Sequence, residues 1–228
     1  MITKTKKELY DNETDWLEAR GIGGSDASAI CELSKWKSKI SLWKRLVLGT
    51  KEKVKSNKKM QGGKNAEQHI RELFIITHDN YISKYIRPPK RKYWLFRRKD
   101  YPLITCTPDG LFNDNLGRKM GHEIKFIDLI KADEKAKWEN NILPNDYYLQ
   151  CLHYLIAKPD LDGVVLTACL QYYKHNDITN EWEYDYSIIR DYIILKENVS
   201  KDVCYLESKE IEFISLVEKK EVPSIRLK

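Results

Sequence analysis

Three residues stand in an order that could do chemistry: Asp109, inside Thr107-Pro108-Asp109-Gly110, then Glu123 and Lys125. On a β-strand Glu123 and Lys125, two apart, share one face, while Ile124 and Phe126 take the other. Asp109 stands where a preceding strand would end. If strands at 103–107 and 122–127 were neighbours, joined by an excursion over 112–121, all three side chains would converge at one sheet edge. Two carboxylates there offer hard oxygen ligands to Mg²⁺. The lysine can hold or deprotonate an attacking water and oppose developing negative charge. Phosphodiester cleavage needs these parts. Each half alone has an ordinary reading, since Pro-Asp-Gly is a common turn and Glu-x-Lys a common surface-strand alternation. Their order, with Glu67 on an upstream helix and Gln150 on a downstream one, favours the site. Glu67 also reads as a solvated helical glutamate beside Lys64 and Arg71,. Gln150 also reads as part of a packing stripe with Tyr147, Cys151 and Tyr154.

A second segment, Arg20-Gly21-Ile22-Gly23-Gly24-Ser25-Asp26, leads into a helix expected to begin near Ser25. Backbone amides at a helix start, a serine hydroxyl and a nearby arginine can hold a phosphate. No Gly-Lys-Ser/Thr follows and no strand precedes, so it is neither a Walker A loop nor a dinucleotide fingerprint. The alternative is a plain capped turn. Asp26 favours that alternative, because a carboxylate repels an anion unless it is itself paired with a cation.

The elements that must position these residues follow from periodicity. Helices are expected at 12–19, 25–33, 38–48 and 62–77, which makes the N-terminal third helical. The middle third turns to β-rich runs at 81–86, 92–97, 103–107 and 122–127, broken by Pro88-Pro89, Asp109-Gly110 and Gly121,. A helix at 146–157, strands at 163–173 and 183–195, and a closing helix at 200–219 complete the pattern. The fold class is α/β (α+β), a central mixed β-sheet flanked by helices. No repeat or Gly/Pro/Ser-rich linker divides the chain, so one domain over 1–228 is expected.

Composition narrows the function classes. With 228 residues, 42% hydrophobic, 32% charged, and only 10 Gly and 7 Pro, the chain is that of a globular protein rather than a disordered one,. No apolar run approaches the ~18 residues of a membrane helix, and the lysine-rich start is followed by acids rather than an apolar core, so neither a membrane span nor a secretion signal is expected. Five scattered cysteines without a C-x-x-C pair point to a reducing, cytosolic setting, with no disulfide framework or structural zinc,. The net charge of +6 is unevenly placed: residues 1–175 hold 32 basic against 22 acidic side chains. Two basic clusters, at 44–64 and 84–99, are interleaved with Trp43, Tyr85, Tyr93, Trp94 and Phe96. Such clusters suit a polyanion, the aromatics stacking on bases; they also suit a solvated face over an inward aromatic stripe.

Taken together, these pieces resemble the YqaJ-like viral recombinase and lambda exonuclease group of the PD-(D/E)XK nuclease superfamily. The matching residues are Trp16, Arg20, Gly21 to Asp26, Ser34 to Ser38, Leu42-Trp43, Gly63 with Glu67, Thr107 to Gly110, Glu123 to Lys125, Tyr148 with Gln150, and Val222-Pro223. The resemblance implies a single restriction-endonuclease-like domain in which Asp109 and Glu123 bind one or two Mg²⁺ ions, with Mn²⁺ able to substitute, and Ile124 adds its backbone carbonyl. Lys125 would orient or activate water, Glu67 would assist at the metal, and Gln150 would hold the site or the substrate strand. Arg20, Ser25 and Thr107 occupy approximately the positions of a 5′-phosphate pocket. Such proteins digest one strand of linear duplex DNA from the 5′ end for phage-type recombination, often as ring-shaped homotrimers, and pass the exposed strand to a single-strand annealing protein in the host cytoplasm. The expected function is therefore a Mg²⁺-dependent 5′-to-3′ exonuclease. The alternatives are an endonuclease on DNA or RNA built on the same core, or a catalytically silent nucleic-acid-binding module.

Overall fold

The computed structural model describes residues 4–50, 58–138 and 142–224. In chain order they form β1 (Thr5–Tyr10), α1 (Glu13–Ala19), a 3₁₀ turn (Gly24–Asp26), α2 (Ala27–Ile30), α3 (Lys39–Leu48) and α4 (Lys58–Thr77). Then come β2 (Ile82–Ile86), β3 (Tyr93–Arg98), β4 (Thr105–Cys106), β5 (Gly110–Asp114), β6 (Lys119–Leu129), α5 (Ala132–Ala136), α6 (Asn145–Ala157), β7 (Gly163–Asn176), β8 (Glu181–Leu195) and α7 (Ser200–Glu218). Helix ends follow local chemistry. Asn12 caps α1 by accepting from the Asp15 amide, and Ser38 caps α3 by accepting from the Ser41 amide,. Gly49 closes α3 in the left-handed region, at φ 63°,.

A five-stranded sheet runs in the order β2-β5-β6-β7-β8, with β6 and β7 parallel and the other pairs antiparallel. This is the mixed sheet expected. Alternation along β6 sends Ile124 toward Ile70 of α4 and Glu123 toward Gln150 of α6, so the two helices cover opposite faces,. The larger core lies on the α6 face, where Leu152, Leu155, Leu166 and Phe213 are almost wholly excluded from solvent. A smaller one lies under α4, around Phe74, Phe112, Met120 and Val165.

Two sequence expectations about the strands are corrected. The N-terminal third is not all helical, because β1 pairs with β3 in a second, three-stranded sheet, β1-β3-β4. Its run Thr5-Lys6-Lys7-Glu8 is polar without an apolar alternation, which masks a short edge strand. The strand expected at 103–107 is not the neighbour of 122–127: β4 pairs with β3, whereas β6 pairs with β5. The excursion over 112–121 is thus the β5–β6 hairpin of the central sheet. Buried Asp114 organises its turn by accepting from the Leu116 and Arg118 amides, with Gly117 at φ 78°,. That turn sits at the opposite end of β5 from Asp109.

Of the two readings of the aromatics in the basic runs, burial favours the inward one. Trp43, Trp94 and Phe96 are buried, and Tyr85 bonds to His122. The inward stripe is what this pattern encodes. Within 84–99, Arg87 pairs with Glu72, Lys92 with Asp11, Arg97 with Glu8, and Arg98 with Asp100 and Glu207. Lys84, Lys90, Arg91 and Lys99 remain exposed positive charges of that run. Positions 51–64 of the first cluster lie outside the residues whose side chains are described.

Candidate active site

The β5–β6 pairing stops at Gly110 and His122, so from Glu123 onward β6 has β7 on one side and, among the described residues, no strand on the other. Asp109 fills that open edge, its Oδ2 accepting from the Ile124 amide at 2.7 Å. The N–H and C=O of one strand residue face the same neighbour, so the Ile124 carbonyl opens to this edge as well. Asp109 reaches it because the chain changes sheets at this point, from β4 to β5. The crossing is pinned on both sides of Asp109. Trp94 Nε1 donates to the Pro108 carbonyl at 2.9 Å, and Arg71 Nε donates to the Asp109 carbonyl at 3.1 Å. Position 110 is glycine because a Cβ there would lie 1.9 Å from the Tyr85 hydroxyl,.

Glu123 is 4% exposed and surrounded by donors. Its Oε1 accepts from Lys125 Nζ and from Gln150 Nε2, each at 2.6 Å, and its Oε2 accepts from the Tyr154 hydroxyl at 2.6 Å. Burial opposes a charge on Lys125, but Glu123 beside it and Asp109 nearby raise its proton affinity, so it stands as an ammonium ion,. Asp109 behaves oppositely: burial, then the negative charges of Glu123 and Glu67, push its carboxyl well above the usual carboxylate range, against Lys125 and the Ile124 amide. Glu67 pairs with Arg71, the residue that holds the Asp109 carbonyl. The structure therefore brings Asp109, Glu123, Ile124, Lys125, Gln150 and Glu67 to one locality.

These residues fit a hard divalent cation. Among the described residues no three of His, Cys, Asp and Glu form a ready cage. The donors present are the Asp109 and Glu123 carboxylates and the Ile124 carbonyl, a small oxygen set suited to Mg²⁺, which keeps several waters. The electrostatic sign agrees with this. A raised Asp109 beside two other carboxylates marks a place short of positive charge.

The glycine loop packs directly on this cluster. A Cβ at Gly24 would meet Gln150 Cγ at 2.7 Å and Tyr154 Cε1 at 2.9 Å, so glycine there lets the loop approach the residues that hold Glu123. Ile22 bridges to Ile104, and the Thr105 amide donates to the Ile22 carbonyl at 2.9 Å, joining the loop to β4. Arg20 Nη2 donates to Ser25 Oγ at 3.3 Å, and the Arg20 guanidinium lies over the Trp16 ring. Asp26 is buried and bound by Lys37 at 2.6 Å, Arg45 at 2.9 Å and the Gly23 amide at 2.9 Å. Although burial opposes its charge, Lys37, Arg20 and Arg45 hold its carboxyl below the usual range. Its repulsion of an anion is thereby cancelled. The helix expected over 25–33 is only a 3₁₀ turn and the four-residue α2, so any phosphate affinity must come from side chains rather than from a helix dipole. Thr107, on the Pro-Asp-Gly turn, has its carbonyl 3.4 Å from the Tyr154 hydroxyl.

Sequence reasoning missed Tyr154 as a site residue, although its spacing of four from Gln150 placed it on the same helical face. It missed Arg71 and Trp94 as the residues that fix Asp109, because nothing local marks a contact made across 38 or 14 positions.

Residues 15–158 match the model of the YqaJ-like viral recombinase domain. The uncharacterized protein YqaJ of Bacillus subtilis (strain 168) is 29% identical over 161 residues, covering 68% of this chain and 46% of that protein. The chain thus spans about half the length of that curated relative. Among solved structures, the alkaline exonuclease LHK-Exo from Laribacter hongkongensis superposes with a TM-score of 0.54 at 17% identity, covering 91% of this chain and 94% of that one. LHK-Exo in complex with dAMP gives a TM-score of 0.50 at 15% identity, covering 91% and 96%. At these identities the two matches speak for the fold, a mixed sheet with flanking helices shared with an exonuclease.

Proposed function

Because this chain belongs to the YqaJ-like viral recombinase domain family, we propose that it is a Mg²⁺-dependent exonuclease that digests one strand of linear duplex DNA from the 5′ end. The observation that carries the proposal is the convergence of Asp109, Glu123 and Lys125 at the open edge of β6, with the Ile124 amide on Asp109. When bound by Asp109, Glu123 and the Ile124 carbonyl, Mg²⁺ supplies Lewis-acid stabilisation of the charge that develops on the scissile phosphodiester. Tyr154 and Gln150 hold the Glu123 side chain in place by hydrogen bonds. Lys125 is an ammonium ion within its pair with Glu123, which suits it to orient the attacking water and oppose negative charge more than to take a proton,. Arg71 joins Glu67 to the Asp109 turn and keeps that carboxylate near the metal position. Arg20, Ser25 and Thr107 are assigned to the 5′-phosphate. Mn²⁺ substitution, a homotrimeric ring, delivery of the exposed strand to a single-strand annealing protein and a phage-type role in the host cytoplasm belong to the same proposal.

Matched linear and closed-circular duplex DNA test it, with 5′-phosphate or 5′-hydroxyl ends on the linear form. The expected result is mononucleotide release from phosphorylated linear DNA and an intact circle. Cutting of the circle would replace the exonuclease with an endonuclease on the same core. Arg20→Ala or Ser25→Ala should narrow the preference for phosphorylated ends; an unchanged preference would leave the loop a capped turn.

A further inference from the structure

Away from the Asp109–Glu123 cluster lies a further buried polar pair, His153 of α6 with Glu210 of α7, both without solvent exposure. His153 Nδ1 lies 2.6 Å from Glu210 Oε1, and Nε2 lies 2.8 Å from the Thr105 carbonyl. A backbone carbonyl cannot donate and a carboxylate only accepts, so both ring nitrogens must face oxygen through hydrogen. The unit therefore retains one proton more than a neutral imidazole beside a carboxylate, shared along the Nδ1–Oε1 contact. Glu210 Oε2 has no hydrogen-bond partner among the described residues, so His153 is the hydrogen-bond partner of this buried side chain there,. Burial works against a charged imidazole, but Glu210, the Thr105 carbonyl and Asp26 raise its proton affinity. The charged and titratable groups facing the unit from neighbouring elements are Asp26 of the 3₁₀ turn and Cys31 beyond α2.

Thr105 is the residue through which this unit meets the site. Its amide and its hydroxyl both donate to the Ile22 carbonyl, which fixes β4 to the glycine loop, and four residues later the chain places Asp109. The remaining polar group of Thr105, its carbonyl, is held by His153.

We propose that His153 and Glu210 are positioning residues: they clamp β4 through the Thr105 carbonyl and so set where Asp109 stands for metal binding and cleavage. This rests on the nuclease reading above. α7 lies beyond the family match at 15–158, so Glu210 is a contribution of this chain's C-terminal helix to its site.

The test uses the full chain. Nitrogen-15 NMR of the histidine rings, with His153 identified by its loss in His153→Phe/Glu210→Leu, should show both His153 nitrogens protonated at neutral pH. A singly protonated ring would overturn the shared-proton arrangement. The double variant removes both buried groups without orphaning a charge, and although the Thr105 carbonyl loses its donor the chain should still unfold cooperatively on heating. Its kcat should fall about 10- to 100-fold with KM for DNA unchanged, as expected of a displaced catalytic group. Calorimetric Mn²⁺ binding without DNA should weaken in parallel. A folded double variant with parental kcat and parental Mn²⁺ affinity would overturn the proposal. Glu210→Gln, whose amide can donate to a neutral ring while Nε2–H still holds Thr105, should rescue kcat and flatten any alkaline loss of activity; no rescue would count against the clamp. If the parent itself cleaves no DNA, the nuclease reading fails, while the NMR and Mn²⁺ measurements still decide this one.

Discussion

On the α6 face of β6, Glu123 accepts from an ammonium, an amide and a phenol. One residue earlier, on the α4 face, His122 sits between the hydroxyls of Tyr85 at 2.7 Å and Thr167 at 2.9 Å. Thr167 donates its own hydrogen to Asp191, so it must accept from His122 Nε2, and Nδ1 must then accept from Tyr85,. That chain of hydrogen bonds is satisfied with a neutral imidazole. Burial, with the charges of Arg71 and His78, pushes the imidazole down to about 3. A single strand thus keeps a carboxylate–ammonium cluster on one face and, on the other, a neutral imidazole whose hydrogen-bond chain ends on the Asp191 carboxylate. Burial beside Glu123 and Glu67 leaves Asp109 short of positive charge, whereas the neutral imidazole has each ring nitrogen matched and serves the fold.

Breaking the charged face should cost activity, and breaking the neutral face should cost stability. The largest expected effect is Lys125→Ala, which should lower kcat by about 10²–10³-fold while DNA binding, read by gel shift, stays near the parent's. Full activity in this variant would end the assignment of Lys125. Tyr154→Phe removes one hydrogen bond to a charged group and should lower kcat by about 10- to 100-fold, read from initial rates. Asp109→Asn should have a double signature. It relieves repulsion among buried carboxylates, so metal-free thermal unfolding should move up, roughly 2–4 °C for each kcal/mol gained, even though the site is lost. A drop in Tm would mean that the Asp109–Ile124 bond outweighs the repulsion.

The smallest expected effect lies on the neutral face. His122 is lowered from 6.5 in the native state, so between about pH 6.5 and 3 the unfolded chain binds the extra proton,. The stability it contributes is complete above the unfolded pKa and is lost as pH falls, by at most about 1.4 kcal/mol per pH unit. In His122→Leu the acid slope of denaturant stability should shrink by about one proton; an unchanged slope would mean His122 is already charged in the native protein.

Much of this difference was legible in sequence where it depends on local period. The two-residue spacing of Glu123 and Lys125, the four-residue spacing of Gln150 and Tyr154, and the helix and strand segments around them follow from geometry that repeats along the chain. What was hidden depends on pairing. The sequence carries no mark that residues 105–106 belong to one sheet and 110–114 to another, so the wrong strand was placed beside β6. The Pro-Asp-Gly turn nevertheless arrived at the edge of β6, because the sheet change happens at that turn. Trp94 and Phe96, read as candidates for base stacking, pack inward with the same alternation that a solvent-facing strand would show. Arg71 and His153 act across long separations and leave no local trace.

The central claim is that Asp109 and Glu123 form a metal-dependent hydrolytic centre. Its most direct test is cleavage of 5′-phosphorylated linear duplex DNA as Mg²⁺ is titrated, with Asp109→Asn in parallel. The account predicts no release without metal, a rate that rises and saturates with Mg²⁺, and no release by the variant at any Mg²⁺ concentration. Metal-independent cleavage, or a variant as active as the parent, would contradict it.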